Sequence, residues 1–572
     1  MDFKTLRDKI FNLSDCKSSI FYWKKNAQTI RLRVYFLIII FSILFFVLTI
    51  RVLSLSLLTK ESIEYSKTVT TERRIITDRN GNVLAVNLPS SSLYLNPKKL
   101  LSAEQEIAKL STIFPSINSK VLSTKLTSDK SFIWIKRDIT PLEQQKIYDL
   151  GLVGFGFERE QKRFYTYGSL LSHVLGYVDR DLHGLAGIEK YYDKFLTSQP
   201  ELEDRRLLGN QLQLSIDVRL QTILSEEIDK TMKKFSAKGA AGIIVNPNNG
   251  EILALVSKPD FDPHYPGKAA PEQLFNMATQ GAYEVGSSMK GLTVAIGIDN
   301  GSTSIRDAYD LSYMKVGGFQ IKDTYSLKGW HSVPHMFLKS SNIGMGQIIL
   351  EVGKENFVNY IRKLGLLDKL KIELPERARP LFPNYSRIND LSLTIMSYGY
   401  GISNSPMHFV QALIPVVNGG MFYPVTLIKQ TQNPQGERIF KESTSRDLRK
   451  LMRLVVSDGT GSKAEVKGYY VGGKTGTAEI VENGKYNKNK RMSSFMGIMP
   501  ATNPQYLIYI IFNEPVGHKD TFGFAGGGWT AAPTVGAVFS RIISMFGIQP
   551  LDEDSDEVIE LNDIEYKISN ET

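Results

Sequence analysis

The chain has 572 residues, 42% of them hydrophobic, and a formal net charge of +10. It is long and apolar enough for two or more domains with large cores, and this composition excludes a wholly disordered chain. Its one cysteine, Cys16, excludes an intrachain disulfide, so packing must supply the stability.

The first 33 residues carry eight Lys or Arg against three Asp. Residues 34–50 then run without a charge, and the apolar stretch continues through Arg51 to Leu58. The uncharged part spans roughly 25 Å at about 1.5 Å per residue, short of the ~30 Å core of a bilayer. Arg51 is therefore expected to snorkel at one interface while the helix runs on. Residues 34–58 read as a single transmembrane helix rather than a cleaved signal, because of the long segment before them and the lack of an Ala-x-Ala-like site after them. The basic tail at 1–33 places the N-terminus in the cytoplasm and everything after Leu58 outside.

Residues 59–215 have a mixed, extended character. Arg73 to Ala85 predicts a strand, an Asn80-Gly81 turn and a second strand. From Asp217 the spacing changes to a helix with Leu220, Ile223, Leu224, Ile228 and Met232 on one face. A hairpin follows: Ala240 to Asn246, a turn at Pro247 to Gly250, then Glu251 to Ser257. Ser287-Ser288-Met289-Lys290 opens an apolar run to Ile298, which predicts a buried helix with Ser287 in its first turn and Lys290 at i+3 on the same face. Ser340-Ser341-Asn342 comes next. His331 and His335 lie four apart, but Pro334 between them argues against a shared helical face, and no metal-ligand set is expected.

Lys474-Thr475-Gly476-Thr477 sits in a β-prone stretch, Tyr469 to Ile480, whose glycines allow close approach; an edge strand facing a cleft is expected, with Gly472 and Gly473 as packing clearance. Strands at Ser493–Met499 and Tyr506–Phe512 and a helix at Pro533–Phe546 follow. The glycines at 526–528 read as a flexible loop, not a phosphate cradle, because no Lys-Ser or Lys-Thr follows them. The segment 549–572 is acidic, with nine carboxylates and one lysine in its last 22 residues, and reads as a solvated, mobile tail. Strand pairs on either side of a helical middle predict an α/β (α+β) fold, a mainly antiparallel sheet with helices packed on it.

Singly, the three motifs are weak, since Ser14 to Lys17 also satisfies Ser-x-x-Lys and Ser116 to Asn118 satisfies Ser-x-Asn. Their order and separations, 53 residues from Ser287 to Ser340 and 134 from Ser340 to Lys474, are what make them specific. Together they read as the site of a penicillin-recognising acyl-serine enzyme. A serine hydroxyl needs a nearby base, and Lys290 can serve only with a depressed pKa, from burial and from the like charge of Lys474.

The sequence resembles the class B penicillin-binding proteins, and among them the septal, cell-division peptidoglycan D,D-transpeptidases, over residues 70 to 548. Besides the three motifs, the likeness includes Arg74 to Ala85, Gly176 to Glu189, Asn249 to Ala254, Gly399 to Pro406 and Gly459-Thr460-Gly461. The resemblance implies a pedestal (dimerisation) domain at 59–215 and a transpeptidase domain of the serine β-lactamase and D,D-peptidase fold at 216–548. It implies Ser287 as nucleophile, Lys290 as base, Ser340 as proton relay and Lys474 as carboxylate anchor. Asn342 would hold the substrate amide, Thr475, Gly476 and Thr477 would bind the terminal carboxylate end, and the N–H groups of Ser287 and Thr477 would form the oxyanion hole. No cofactor or metal is implied.

The implied partners are peptidoglycan stem peptides (a D-Ala-D-Ala donor and an amine acceptor), β-lactams, the inner membrane, a SEDS-type glycosyltransferase and other division proteins. The catalytic domain would be periplasmic. The net positive charge finds no nucleic-acid recognition module. An elongation-type transpeptidase, a D,D-carboxypeptidase, a β-lactamase and a non-catalytic scaffold or β-lactam sensor remain as alternatives. Val285 stands where proline is common in the family, Ser288-Met289 where Thr-Phe is, and Ser405 with Met407-His408 where a Thr-Pro-Leu-Gln-like string is. These departures bear on β-lactam affinity and loop rigidity.

Overall fold

The computed structural model describes residues 32–53, 73–100, 102–115, 130–198, 211–482 and 484–566. The basic arm before residue 32 and the expected end of the span after residue 53 lie outside them. Helix α1 (Leu32–Leu53) is exposed along its length and carries two charges, Arg33 and Arg51. Its 22 residues reach about 33 Å, enough to cross a bilayer, and among the described residues it is the one helix with that length and apolarity.

The pedestal is a five-stranded sheet built around one long strand. Strand β1 (Ile75–Thr77) pairs antiparallel with the start of β2 (Val83–Leu95), as the Asn80-Gly81 turn predicts. Asp78 ties that turn together by accepting from the N–H groups of Asn80 at 2.8 Å and Asn82 at 2.9 Å. The rest of β2 pairs with β3 (Ile133–Ile139) and β4 (Phe155–Tyr165), and β1 pairs in parallel with β5 (Gln211–Gln213). Helices α2 (Ala103–Ile113) and α3 (Pro141–Asp149) close the far end over Leu93, Leu110 and Ile147.

At the near end a short helix, α4 (Gly187–Tyr191), buries Glu189 completely between two guanidinium groups. Arg73 Nε donates to Glu189 at 2.6 Å and Arg163 Nε at 2.7 Å, and Arg73 also reaches Asp193 at 2.8 Å. The Arg73 and Gly176–Glu189 motifs are thus two halves of one buried ion cluster. Ile76, Leu84, Leu171 and Ile188 belong to the same core as the helices of the second domain, so the pedestal base is continuous with it.

The second domain has three layers. Its sheet runs β8 (Gly472–Glu482), β9 (Lys485–Met499), β10 (Tyr506–Asn513), β6 (Gly239–Val245), β7 (Ile252–Lys258), every neighbour antiparallel. The middle strands are apolar throughout because both faces are covered. Along β10, Ile508, Ile510 and Phe512 face one layer, while Leu507, Tyr509 and Ile511 face the other. The first layer is α5 (Val218–Phe235), capped by Asp217, and α11 (Ala531–Phe546). The second contains α6 (Lys290–Asn300), α7 (Val333–Leu338), α8 (Asn342–Val352), α9 (Pro406–Val417) and α10 (Glu442–Ser457).

Two expectations are corrected. The acidic tail is not simply solvated: residues 556–562 form α12 (Asp556–Asn562), which buries Val558 and Leu561, because two apolar residues three apart give the acidic stretch one face to pack. The glycines at 526–528 are not slack. A Cβ on Gly527 would lie 2.2 Å from the Ser494 carbonyl oxygen, and one on Gly528 would lie 2.5 Å from that of Thr460, so the loop is pressed onto β9 and its neighbours. His331 and His335 share no helical face, as Pro334 implies: His331 is the middle residue of a short strand (Trp330–Ser332) and His335 lies in the first turn of α7, with their Nδ1 atoms 2.8 Å apart.

Candidate active site

Ser287 lies in a 3-10 turn, Gly286–Met289, that runs directly into α6, whose first residue is Lys290. Gly286 has φ +54°, and a Cβ there would stand 2.5 Å from the Thr477 carbonyl oxygen. Only glycine lets this turn pack so closely on the edge strand β8. The Gly286 N–H donates to the Gly399 carbonyl at 3.1 Å, and a Cβ on Gly399 would lie 2.1 Å from the Gly286 carbonyl oxygen, so this position too requires glycine.

Lys290 and Lys474 come from opposite walls and are both fully buried. Their Nζ atoms each donate to Ser340 Oγ at 3.1 Å, and Lys290 also donates to the Ser340 carbonyl at 2.5 Å. Ser340 presents both oxygens because its backbone is left-handed, φ +59°, an uncommon state for a non-glycine residue that its surroundings must hold. Burial, and then the charge of Lys474, hold the Lys290 ammonium well below the ordinary lysine range, with Asp323 opposing. Burial brings Lys474 down to about 7. The arrangement can therefore supply a neutral amine beside a serine at neutral pH.

Thr475 and Thr477 face a cleft of about 620 Å³, together with Ser287, Ser340, Tyr400, Lys463, Phe524 and Trp529. Thr475 Oγ1 is 2.7 Å from Thr460 Oγ1, and Thr477 Oγ1 accepts from the Gly527 N–H at 3.3 Å. Gly476 fits because a Cβ there would be 2.2 Å from Ser288 Oγ. Asn342 stands apart: its Nδ2 donates to the Lys322 carbonyl at 2.8 Å, and its side chain does not line the cleft. Sequence reasoning missed Asp323, which accepts from Ser341 Oγ at 2.7 Å and from the N–H groups of Asn342 and Ile343, and so caps α8 beside Ser340. Nothing in the loop around Asp323 signalled this. Among the described residues no three His, Cys, Asp or Glu side chains converge as a metal site.

The profile of the penicillin binding protein transpeptidase domain matches residues 240–539, and that of the penicillin-binding protein dimerisation domain matches residues 68–215. The chain belongs to the class B penicillin-binding proteins. Among its relatives in this family is the probable peptidoglycan D,D-transpeptidase FtsI of Caulobacter vibrioides, 36% identical over 497 residues, which cover 85% of this chain and 83% of that one. The probable peptidoglycan D,D-transpeptidase PenA of Neisseria meningitidis is 33% identical over 557 residues, 92% of this chain and 95% of the relative. The crystal structure of penicillin binding protein 3 from Mycobacterium tuberculosis complexed with aztreonam superposes with a TM-score of 0.67 at 23% identity, over 84% of this chain and 97% of that one, which shows the shared fold. In this penicillin-binding protein, then, the lysine-serine-lysine cluster lies within the transpeptidase domain, beneath the cleft.

Proposed function

We infer that the chain is a serine-type peptidoglycan D,D-transpeptidase that cross-links stem peptides during septum formation and is a target of β-lactams. The observation that carries this reading is the convergence of two buried, pKa-depressed lysines on the Ser340 hydroxyl, in the cleft that Ser287 also lines. Neutral Lys290 takes the Ser287 proton as Oγ attacks the penultimate D-alanine carbonyl. The N–H groups of Ser287 and Thr477 hold the oxyanion. The proton passes through Ser340 Oγ to the leaving nitrogen, the C–N bond breaks, and D-alanine departs. An acceptor amine then attacks the ester, gives up a proton along the same path and displaces Ser287 Oγ, which regains its hydrogen. Lys474, Thr475 and Thr477 bind the donor carboxylate, and Asn342 holds the substrate amide.

Mass spectrometry of the full chain in detergent after incubation with a penicillin tests this. A stable adduct on Ser287, absent from Ser287→Ala, is expected. Rapid turnover of the drug would favour a β-lactamase, and no adduct in a folded chain would favour a silent scaffold. The septal assignment predicts that depletion gives filaments lacking septa; swollen, unelongated cells would replace it with lateral-wall duty.

The apolar helix and the N-terminal charge pattern support a single-pass inner-membrane protein with a cytoplasmic N-terminus and a periplasmic catalytic domain. The span also serves as a contact surface for a SEDS-type glycosyltransferase. Intact septal function after exchange for an unrelated span would remove that role.

A further inference from the structure

We propose that the C-terminal segment, residues 551–566, is a positioning strap for Ser340, an inference that rests on the acyl-serine reading above. The segment first pins to the transpeptidase domain where the Leu551 N–H donates to the Gly468 carbonyl at 3.0 Å. Helix α12 then packs on α10: Leu561 and the half-buried Ile564 join the core that holds Leu448, Leu451 and Phe337, and Glu560 lies 3.4 Å from Arg446. Beyond it, the Tyr566 carbonyl accepts from Ser332 Oγ at 2.9 Å, and the Tyr566 ring lies 6.4 Å from that of His335.

Ser332 is the N-cap of α7, its Oγ accepting from the His335 N–H at 3.4 Å. A hydroxyl has one proton and two lone pairs, so giving the proton to Tyr566 leaves a lone pair aimed at the helix. The strap therefore fixes the cap as well as covering it. With only six residues, α7 depends on its contacts for its form. Its other end delivers Ser340, whose N–H donates to the Phe337 carbonyl at 3.2 Å, while Ser341 N–H donates to Met336 at 2.9 Å. The left-handed Ser340 keeps equal 3.1 Å contacts to Lys290 and Lys474 only while that helix end is held.

The test compares the full chain with a chain ending at Pro550, with Ser332→Ala and with Ser332→Thr, all in detergent. It measures the acylation rate by a penicillin per folded molecule and the pH dependence of that rate. Shortening and Ser332→Ala are expected to lower acylation by about tenfold and to displace the limb of the pH profile set by the lysine pair, because a misplaced hydroxyl no longer couples the two amines. Ser332→Thr, which keeps the cap and the donor, should restore both. Folded variants with wild-type rates and an unmoved profile would overturn the strap. If the shortened chain does not fold, Leu561→Ser, which unseats α12 and leaves the Ser332 cap in place, decides instead, the same losses being expected and wild-type behaviour overturning the strap. A wild-type chain that is never acylated would overturn the acyl-serine reading itself, and the strap with it.

Discussion

Ser340 is the residue on which the site turns, since its hydroxyl is addressed by both Lys290 and Lys474. Burying Lys474 has a measurable cost. Its folded pKa, about 7, lies below the ordinary 10.5, so between those values the unfolded state binds the extra proton and stability rises with pH. Lys474→Met should therefore melt higher than wild type at pH 6, with the gap narrowing by pH 9, while acylation falls by about 100-fold or more. A gap independent of pH would contradict the depressed pKa. The same logic predicts that wild-type acylation declines as pH falls and the lysine pair takes up protons. Asp323→Ala should cost about 1–3 kcal/mol by leaving the α8 cap unmet, seen as a lower melting temperature and slower acylation. Ser287 and Lys290 were legible in the sequence because a serine and a lysine one helical turn apart are a local pattern. Asp323 was not, because it meets Ser341 across a loop of no periodicity.

Among the elements, the edge strand β8 and the two glycine segments pressed on it define the cleft. The sequence announced the strand and its exposed side, since β-prone residues with glycines at 472, 473 and 476 need close neighbours on one flank. It did not announce the loop at 526–528, because a run of glycines looks the same whether it is slack or clamped. Gly527→Ala separates the two. A Cβ would meet the backbone oxygens of Ser494 at 2.2 Å and Gly476 at 2.6 Å, so the loop must lift and Thr477 loses its Gly527 contact. We expect weaker penicillin binding ahead of acylation, with the rate at saturating drug changed less; kinetics indistinguishable from wild type would mean the loop is as slack as its composition. The tail had the opposite ambiguity. Its charge hid Val558 and Leu561, two apolar residues too few to make a visible stripe.

At the scale of the molecule, the antiparallel sheet and its helical cover followed from alternating and continuous apolar runs, whereas the join between pedestal and transpeptidase domain did not. Beside that join, and wholly within the pedestal, Glu189 with no exposure faces Arg73 and Arg163, 116 and 26 positions before it. Such pairings leave no periodic trace. Glu189→Ala would strand two buried guanidinium groups and should cost about 3–5 kcal/mol, read as a lower melting temperature with the acylation rate per folded molecule preserved. An unchanged melting curve would show that the cluster is not structural. The core beside this cluster runs without a break from Ile76 and Ile188 to Met289 and Leu292, next to Ser287. Torque applied to the base of the pedestal would reach Ser287 through packed side chains.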